Sequence, residues 1–273
     1  MPAIFAHYLF GAEMLPRFDD SVRRVVKTHR SFYNIGLQGP DFYFFDQLLC
    51  LRGKKYAQTG SDLHHSSCAT LLMALEGEGG RRPDSCSLAY LIGLIGHFSL
   101  DSTCHPSIDR WVEELSYNHH RMETEFDRYL LGRCGVAEPR RFPLGSCIAA
   151  DRATRLRVGR LYEGADLGAA SDVAALIADF GRIKNGLQTP GDGRYRFYQS
   201  VLRLAGAQEA LGGIFMGPKD ALSDETNPRL AALFGEAKER YAALASNYMA
   251  HVFEDAPLDD YFQRDFEREP EGI

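Results

Sequence analysis

The sequence predicts an all-α protein, and three observations support that prediction. Few segments alternate in β-branched residues, so strands are poorly indicated. Several long segments carry apolar residues at helical spacing instead. Segments rich in glycine, proline and charge separate them, as expected of loops. We expect eight to ten helices in a single multi-helix domain that spans residues 1–273.

The first clear helix is predicted over residues 85–100, SCSLAYLIGLIGHFSL, which is apolar on nearly every side and therefore central and buried. Pro106 is expected to end that stretch of helix. Helix resumes over residues 108–131. Three more helices are predicted over 172–183 with Ser171 as cap, over 194–210, and from the Asn227-Pro228 pair to about residue 253. Loops are predicted at 77–84, 133–145, 186–194 and 217–227, and an acidic, loosely ordered tail at 255–273.

Composition and charge exclude several classes of protein. Hydrophobic residues make up 45% and charged residues 25% of the chain, as in an ordinary globular protein. The net charge of −6 argues against an extended nucleic-acid surface. No run reaches the roughly 18 consecutive apolar residues of a transmembrane segment. The amino-terminal stretch lacks the basic region of a signal peptide, so we expect a cytoplasmic protein whose six cysteines are free thiols.

Six of the nine histidines fall between residues 64 and 120, and two segments there repeat one pattern. GHFSLDSTCHP (96–106) places His97, Asp101 and His105 four residues apart, on one side of a helix. NHHRMETEFD (118–127) does the same with His119, Glu123 and Asp127. Two such helices can hold a divalent cation between them. Imidazole and carboxylate ligands without thiolate are typical of catalytic zinc.

A simpler interpretation is that each histidine and acid form a helix pair worth a few tenths of a kcal/mol. A single motif would favour that interpretation. Two motifs close together favour a metal site, because burying His97 and Asp101 in an apolar helix costs several kcal/mol unless they are paired or bound to metal.

Three earlier segments extend the candidate set. AHYLFG (6–11) places His7 in an apolar stretch, and GLQGPDFYFFD (36–46) places Asp41 after a Gly-Pro turn and before four aromatic residues. LHHSS (63–67) offers His64 or His65. Taken singly, His7 could equally be a core histidine, Asp41 a helix cap, and His64 and His65 a surface pair.

In this order, the motifs resemble the bacterial zinc-dependent phospholipase C family, which is related to zinc-dependent single-strand nucleases and 3′-nucleotidases. The resemblance covers about residues 1–130. It implies an all-α fold around two or three zinc ions. Carried over residue by residue, it implies three ligand groups: Asp41, His64, His97 and Asp101 for one ion; His105, His119 and Glu123 for a second; and His7 with a bridging Asp101, helped by the amino terminus, for a third. His120 and Asp127 are interpreted as supporting or surface groups.

The resemblance implies hydrolysis of a phosphate ester by a zinc-bridged hydroxide, with Asp41 as the catalytic group that orients the water or accepts its proton. The substrate would be a small-molecule or lipid-headgroup phosphoester. One alternative is a nuclease or 3′-nucleotidase, which would need a pocket that stacks a base. Another is a degenerate metal-binding protein without activity.

The candidate ligands divide the chain into two parts. All of them fall within residues 1–127, and the second half contains only His251. Since His7 and Glu123 must meet at one cluster, we expect the helices of residues 150–253 to complete the same domain around it.

Overall fold

The structure is a computed structural model that describes residues 4–46, 56, 58–77 and 82–267. These residues form α-helices and short 3₁₀ turns and no β-strand, so the prediction of an all-α fold is confirmed. The α-helices of the described part are α1 (Ile4–Met14), α2 (Asp20–Thr28), α3 (Arg30–Gly36), α4 (Thr59–His64), α5 (Cys68–Glu76), α6 (Ser85–Leu115), α7 (His119–Arg133), α8 (Arg152–Gly164), α9 (Ala170–Gly186), α10 (Asp192–Leu204), α11 (Gln208–Leu211) and α12 (Ser223–Glu254).

Helix α6 is the central element of the fold. The Asp84 side chain caps it by accepting hydrogen bonds from the amides of Cys86 and Ser87, both at 3.0 Å. Almost every residue from Ser87 to His105 is buried, as its apolar composition predicts. Helices α3 and α12 make the most extensive contacts with α6, and α1, α2 and α7 also pack against it.

Two glycines allow α3 to lie directly on α6. A Cβ on Gly36 would lie 2.1 Å from the Tyr90 carbonyl oxygen, and one on Gly93 would lie 2.4 Å from the Tyr33 carbonyl oxygen. Only residues without a Cβ permit this approach. The contact brings the turn after α3, which leads to Asp41, onto the histidine-bearing part of α6.

The prediction that Pro106 ends a helix was wrong, because α6 continues through it to Leu115. Proline removes one amide donor from the helix. Buried side chains continue on the far side at Ile108 and Trp111, and their packing outweighs that loss. The helix ends instead at Ser116, whose φ is 48°, and Asn118 caps α7 by accepting a hydrogen bond from the Arg121 amide.

Two predicted helix starts were also wrong. Ser171 lies inside α9, which begins at Ala170. The Glu163 carboxylate at the end of α8 accepts a hydrogen bond from the Ala170 amide and so satisfies a donor of the first turn of α9. The Asn227-Pro228 pair lies inside α12, which begins at Ser223. The Asp220 side chain there accepts a hydrogen bond from the Leu222 amide.

The helix predicted over 194–210 is two helices, because Gly206, with φ of 67°, interrupts it between α10 and α11. No position was predicted for α1 to α5 or for α8. Charged residues interrupt the apolar stretches of α2 and α8.

The expectation of a loosely ordered tail was wrong for the C-terminal segment, which we define as residues 255–267. Phe262 and Phe266 within it are fully buried in the core. The Arg264 carbonyl accepts a hydrogen bond from the Cys68 amide, and the Phe266 amide donates one to the His64 carbonyl.

Three further expectations concern the cysteines, the loop at 77–84 and the membrane. The five cysteines of the described residues are free thiols, and Cys50 lies outside those residues. Most of the predicted loop at 77–84 lies outside them too. Among the described helices, none combines the length and apolar character that crossing a bilayer requires.

Candidate metal centre

Helix α6 supplies the middle of the candidate site. Its residues His97, Asp101 and His105 lie one turn apart on the same side, and all three are buried. The Asp101 Oδ2 atom lies 3.3 Å from the Nε2 of His97 and 3.7 Å from the Nε2 of His105. Asp101 therefore lies between the two imidazoles, where a bridging carboxylate would have to be.

Asp41 reaches this side of α6 through the turn that follows α3. Gly39 adopts a φ of 50°, and a Cβ there would lie 2.1 Å from the His97 ring, so only glycine lets the turn lie flat on that imidazole. Asp41 opens the 3₁₀ segment Asp41–Asp46 and is completely buried. Its Oδ1 atom lies 3.8 Å from the Nε2 of His97.

His64 closes this group from the last turn of α4. Its Nδ1 donates a hydrogen bond to the Gly60 carbonyl at 2.7 Å, which leaves Nε2 facing the site. That Nε2 lies 3.1 Å from Asp41 Oδ1 and 3.4 Å from His97 Nε2. Its neighbour His65 is 38% exposed and points to Ser61 and Glu267. Of the two histidines offered by the sequence, the structure brings His64 into the cluster.

His7 approaches from α1. Its Nε2 lies 3.1 Å from Asp101 Oδ1, on the opposite oxygen from His97. The buried Asp127 holds this helix in place, because its carboxylate accepts hydrogen bonds from the amides of Ala6 at 2.8 Å and Phe5 at 3.2 Å. Burial raises the pKa of Asp127 to about 7. Asp127 thus supports the helix that carries His7 and does not join the cluster.

Helix α7 supplies the remaining candidate ligands, which lie beside His105. The Nε2 of His119 lies 3.2 Å from Glu123 Oε1, and the Nε2 of His105 lies 4.0 Å from the same oxygen. The Nδ1 of His119 lies 3.3 Å from Oδ1 of Asp109, a residue that the sequence analysis missed. Asp109 follows His105 by four residues, so extending the period of His97, Asp101 and His105 by one turn would have found it.

These distances permit a test of whether the residues fit zinc. Zinc bonds of about 2.0–2.1 Å set tetrahedral ligand atoms about 3.3–3.4 Å apart. The nitrogen and oxygen atoms of Asp41, His64 and His97 lie 3.1–3.8 Å apart, and those of His7, Asp101 and His97 contact one another at 3.1 and 3.3 Å. Ligand atoms that converge at these spacings, from groups of the type zinc prefers, fit the ion.

Unsatisfied buried polar atoms also indicate a cation site. Among the described residues, neither oxygen of Asp41 nor Oδ2 of Asp101 receives a well-aligned hydrogen bond, although all are buried. Buried carboxylates without such partners cost free energy that a cation would recover. The Nδ1 atoms of His7 and His97 also lack a hydrogen-bond partner there. His64 and His119, by contrast, direct their second nitrogen at the Gly60 carbonyl and the Asp109 carboxylate.

The protonation states suit metal binding at most of these groups. Burial lowers the pKa of His97 to about 3 and also lowers that of His105, so both imidazoles are neutral at pH 7. Burial opposes ionisation of Asp101, but the imidazoles of His97 and His7 beside it hold its pKa well below its usual value. His64 and His119 differ. Burial disfavours the charge of His64, but the hydrogen bond with Asp41 and the charge of that carboxylate outweigh it and raise the pKa of His64. Burial likewise disfavours the charge of His119, but Glu123 and Asp109 outweigh that effect and raise its pKa to about 10, so a metal would have to replace its proton.

A cleft opens onto the cluster between α1, α6 and α7. Its cavity volume is about 30 Å³. His7, Asp101, His105 and Glu123 form its polar side, and its apolar side is formed by Ala6, Leu100, Cys104, Ile108, Phe126 and Leu230. Burial raises the pKa of the Cys104 thiol, so Cys104 contributes to the apolar lining and offers no thiolate.

The model of the zinc-dependent phospholipase C family matches residues 1–162. The chain belongs to this family. All eight candidate ligands lie within the matched residues, whereas α9 to α12 and the C-terminal segment lie beyond them. No curated protein and no solved structure matches the chain. The family match thus covers the residues that carry the candidate ligands. The helices beyond residue 162 are described by the structure alone.

Proposed function

We propose that this protein is a zinc-dependent hydrolase of phosphate esters, a phosphodiesterase of the phospholipase C type. The observation that carries the proposal is the convergence of five buried or half-buried histidines and three buried carboxylates at ligand spacing beside an open cleft.

Three groups of residues would hold the ions. Asp41, His64 and His97 form the first, with Asp101 beside them. His105, His119 and Glu123 form the second. His7 and the other oxygen of Asp101 form the third. When bound, zinc would neutralise charge on phosphate oxygens and lower the pKa of a water molecule.

The protein's own groups then divide the remaining work. Burial opposes ionisation of Asp41, but the hydrogen bond with His64 helps to hold its pKa below the usual value, so its Oδ atoms can accept a hydrogen bond from the attacking water and orient it. Attack of that water on phosphorus breaks the bond to the ester oxygen and releases an alcohol and a phosphate monoester. The apolar side of the cleft, at Leu100, Phe126 and Leu230, offers a surface for an apolar alcohol.

Elemental analysis and a substrate panel test the proposal. The purified protein should contain two or three zinc ions and hydrolyse phosphatidylcholine or a water-soluble phosphodiester faster than a 3′-nucleotide. Preference for the 3′-nucleotide would indicate the nuclease branch. Full zinc content without hydrolysis of any phosphoester would leave only a metal-binding protein.

An exchange at Asp101 tests the bridging position. Asp101→Asn should lose zinc and lower kcat/KM more than about a hundredfold, because even residues that only support a ligand cost 10- to 100-fold. Asp20→Asn, an exposed exchange on α2, is the matched control and should change neither quantity.

A further inference from the structure

Helix α10 differs from the other long helices of the structure because none of its thirteen residues is buried. It nevertheless carries large apolar side chains. Phe197, Val201 and Leu204 are 63%, 46% and 90% exposed. Their spacing of four and three residues places them within an arc of about 60° on the helix. The result is a continuous apolar stripe that faces solvent.

Positive charge accompanies this stripe. Arg194, Arg196 and Arg203 lie on α10, and no acidic group in the described part of the chain forms an ion pair with any of them. Asp192 is the only acid of the helix, and Arg140 pairs with it at 2.6 Å. The helix surface is therefore basic, although the chain as a whole has a net charge of −6.

Helix α10 is also connected to the candidate metal centre. The Gln199 side chain donates a hydrogen bond to the Gly212 carbonyl at 2.9 Å. The adjacent Gly213 carbonyl accepts one from the Thr124 hydroxyl at 2.8 Å, and Thr124 follows Glu123 on α7. A surface that binds α10 would thus lie on the same side of the molecule as the first turns of α7.

We propose that α10 docks on an anionic phospholipid surface. The stripe of Phe197, Val201 and Leu204 would enter the boundary between headgroups and acyl chains, and the arginines would bind lipid phosphates. An amphipathic helix with a basic polar part and large apolar residues is the form that lies in such an interface. Docking requires no hydrolysis, so the inference goes beyond the proposed function and uses none of the candidate zinc ligands.

Co-sedimentation of the full-length protein with vesicles tests the proposal. The protein should bind vesicles of mixed phosphatidylglycerol and phosphatidylcholine more tightly than vesicles of phosphatidylcholine alone, and added salt should weaken the binding. The double variant Phe197→Ser/Leu204→Ser should lower the partition coefficient more than about tenfold. Arg196→Gln should lower it about fivefold on the mixed vesicles only.

The matched control is Met73→Ser on α5, which removes a side chain that is 62% exposed but has no such stripe around it. This variant should bind vesicles as the wild type does. A water-soluble phosphodiester should be hydrolysed by the double variant at the wild-type rate, so a failure of docking is distinguishable from a failure of the proposed function.

Two results would overturn the docking proposal. The first is a wild-type protein that ignores anionic vesicles, or one whose binding the stripe exchange leaves unchanged. The second is a dimer, detected by light scattering, that the double variant dissociates. In that case the stripe is covered by a second copy of the chain.

Discussion

At the scale of single residues, Asp109 is the group whose role is easiest to isolate. It lies 3.3 Å from Nδ1 of His119, while Nε2 of the same ring faces Glu123. A carboxylate on the second nitrogen fixes the orientation of a metal-binding histidine. Asp109 is partly exposed, so its loss should leave the fold intact.

We therefore predict that Asp109→Ala lowers the affinity of one zinc ion 10- to 100-fold. Competition with a chelator of known affinity measures this. Glu113→Ala, an exposed exchange one turn further along α6, is the control and should leave every zinc affinity unchanged. If Asp109→Ala retains wild-type affinity, the orienting role is wrong.

The residues of the cluster could be predicted from the sequence because helical periodicity fixes which side chains share a face. His97, Asp101 and His105 followed from that rule alone. The choice between His64 and His65 did not, since both lie at the end of a short helix and only the packing of α4 against the Asp41–Asp46 segment separates them. Asp127 was noted for its spacing, but its hydrogen bonds to α1 depend on contacts more than 120 residues apart in sequence.

At the scale of elements, the C-terminal segment is the part that sequence composition misrepresents. Its acidic residues suggest a solvated tail, yet it carries two buried phenylalanines, Phe262 and Phe266. The Phe266 ring lies 5.5 Å from the His64 ring and 5.7 Å from the His97 ring, so it covers two candidate ligands. Phe262 lies against Phe98 and contacts neither histidine.

This pair of residues allows a matched experiment. We predict that Phe266→Ala and Phe262→Ala each cost about 3–5 kcal/mol of unfolding free energy, because both rings are fully buried. Only Phe266→Ala should also weaken zinc binding, by about tenfold, since the apolar shell around a metal site controls access of water to its ligands. Denaturant unfolding and chelator competition measure the two effects separately. Equal zinc affinity in both variants would show that Phe266 only fills space.

Element boundaries were the least predictable feature, for a physical reason that α6 illustrates. Local rules assign Pro106 to a helix end, but side chains on both of its flanks are buried in the core. Tertiary packing of a long amphipathic or apolar helix exceeds the cost of one missing hydrogen bond. The converse holds at Gly206, where little packing opposes the break and α10 ends.

At the scale of the whole molecule, the half without candidate ligands packs directly onto the half that holds them. Helix α12 contacts α1, α6 and α7, and the C-terminal segment covers His64. We propose on this basis that residues 1–273 form one domain. Such a domain should unfold in a single transition, and anything that binds the cluster should stabilise all of it.

Removal of zinc tests this coupling. Without the metal, Asp41, Asp101 and Glu123 leave three carboxylates in the interior. Burial keeps His97 and His105 neutral, so these two histidines do not balance that charge. An ion held at a free concentration 1,000 times its Kd contributes about 4 kcal/mol to stability. For a chain of this size, that corresponds to a fall in Tm of about 8–16 °C for each ion removed.

We therefore predict that a chelator lowers Tm by at least about 8 °C in one cooperative transition, and that added zinc restores it. Scanning calorimetry at constant pH and salt measures both steps. In the Asp101→Asn variant the shift should be much smaller, because the residue that contacts His7, His97 and His105 has lost its charge. Two separate transitions, of which zinc moves only one, would show that the two halves fold independently and would contradict the single domain.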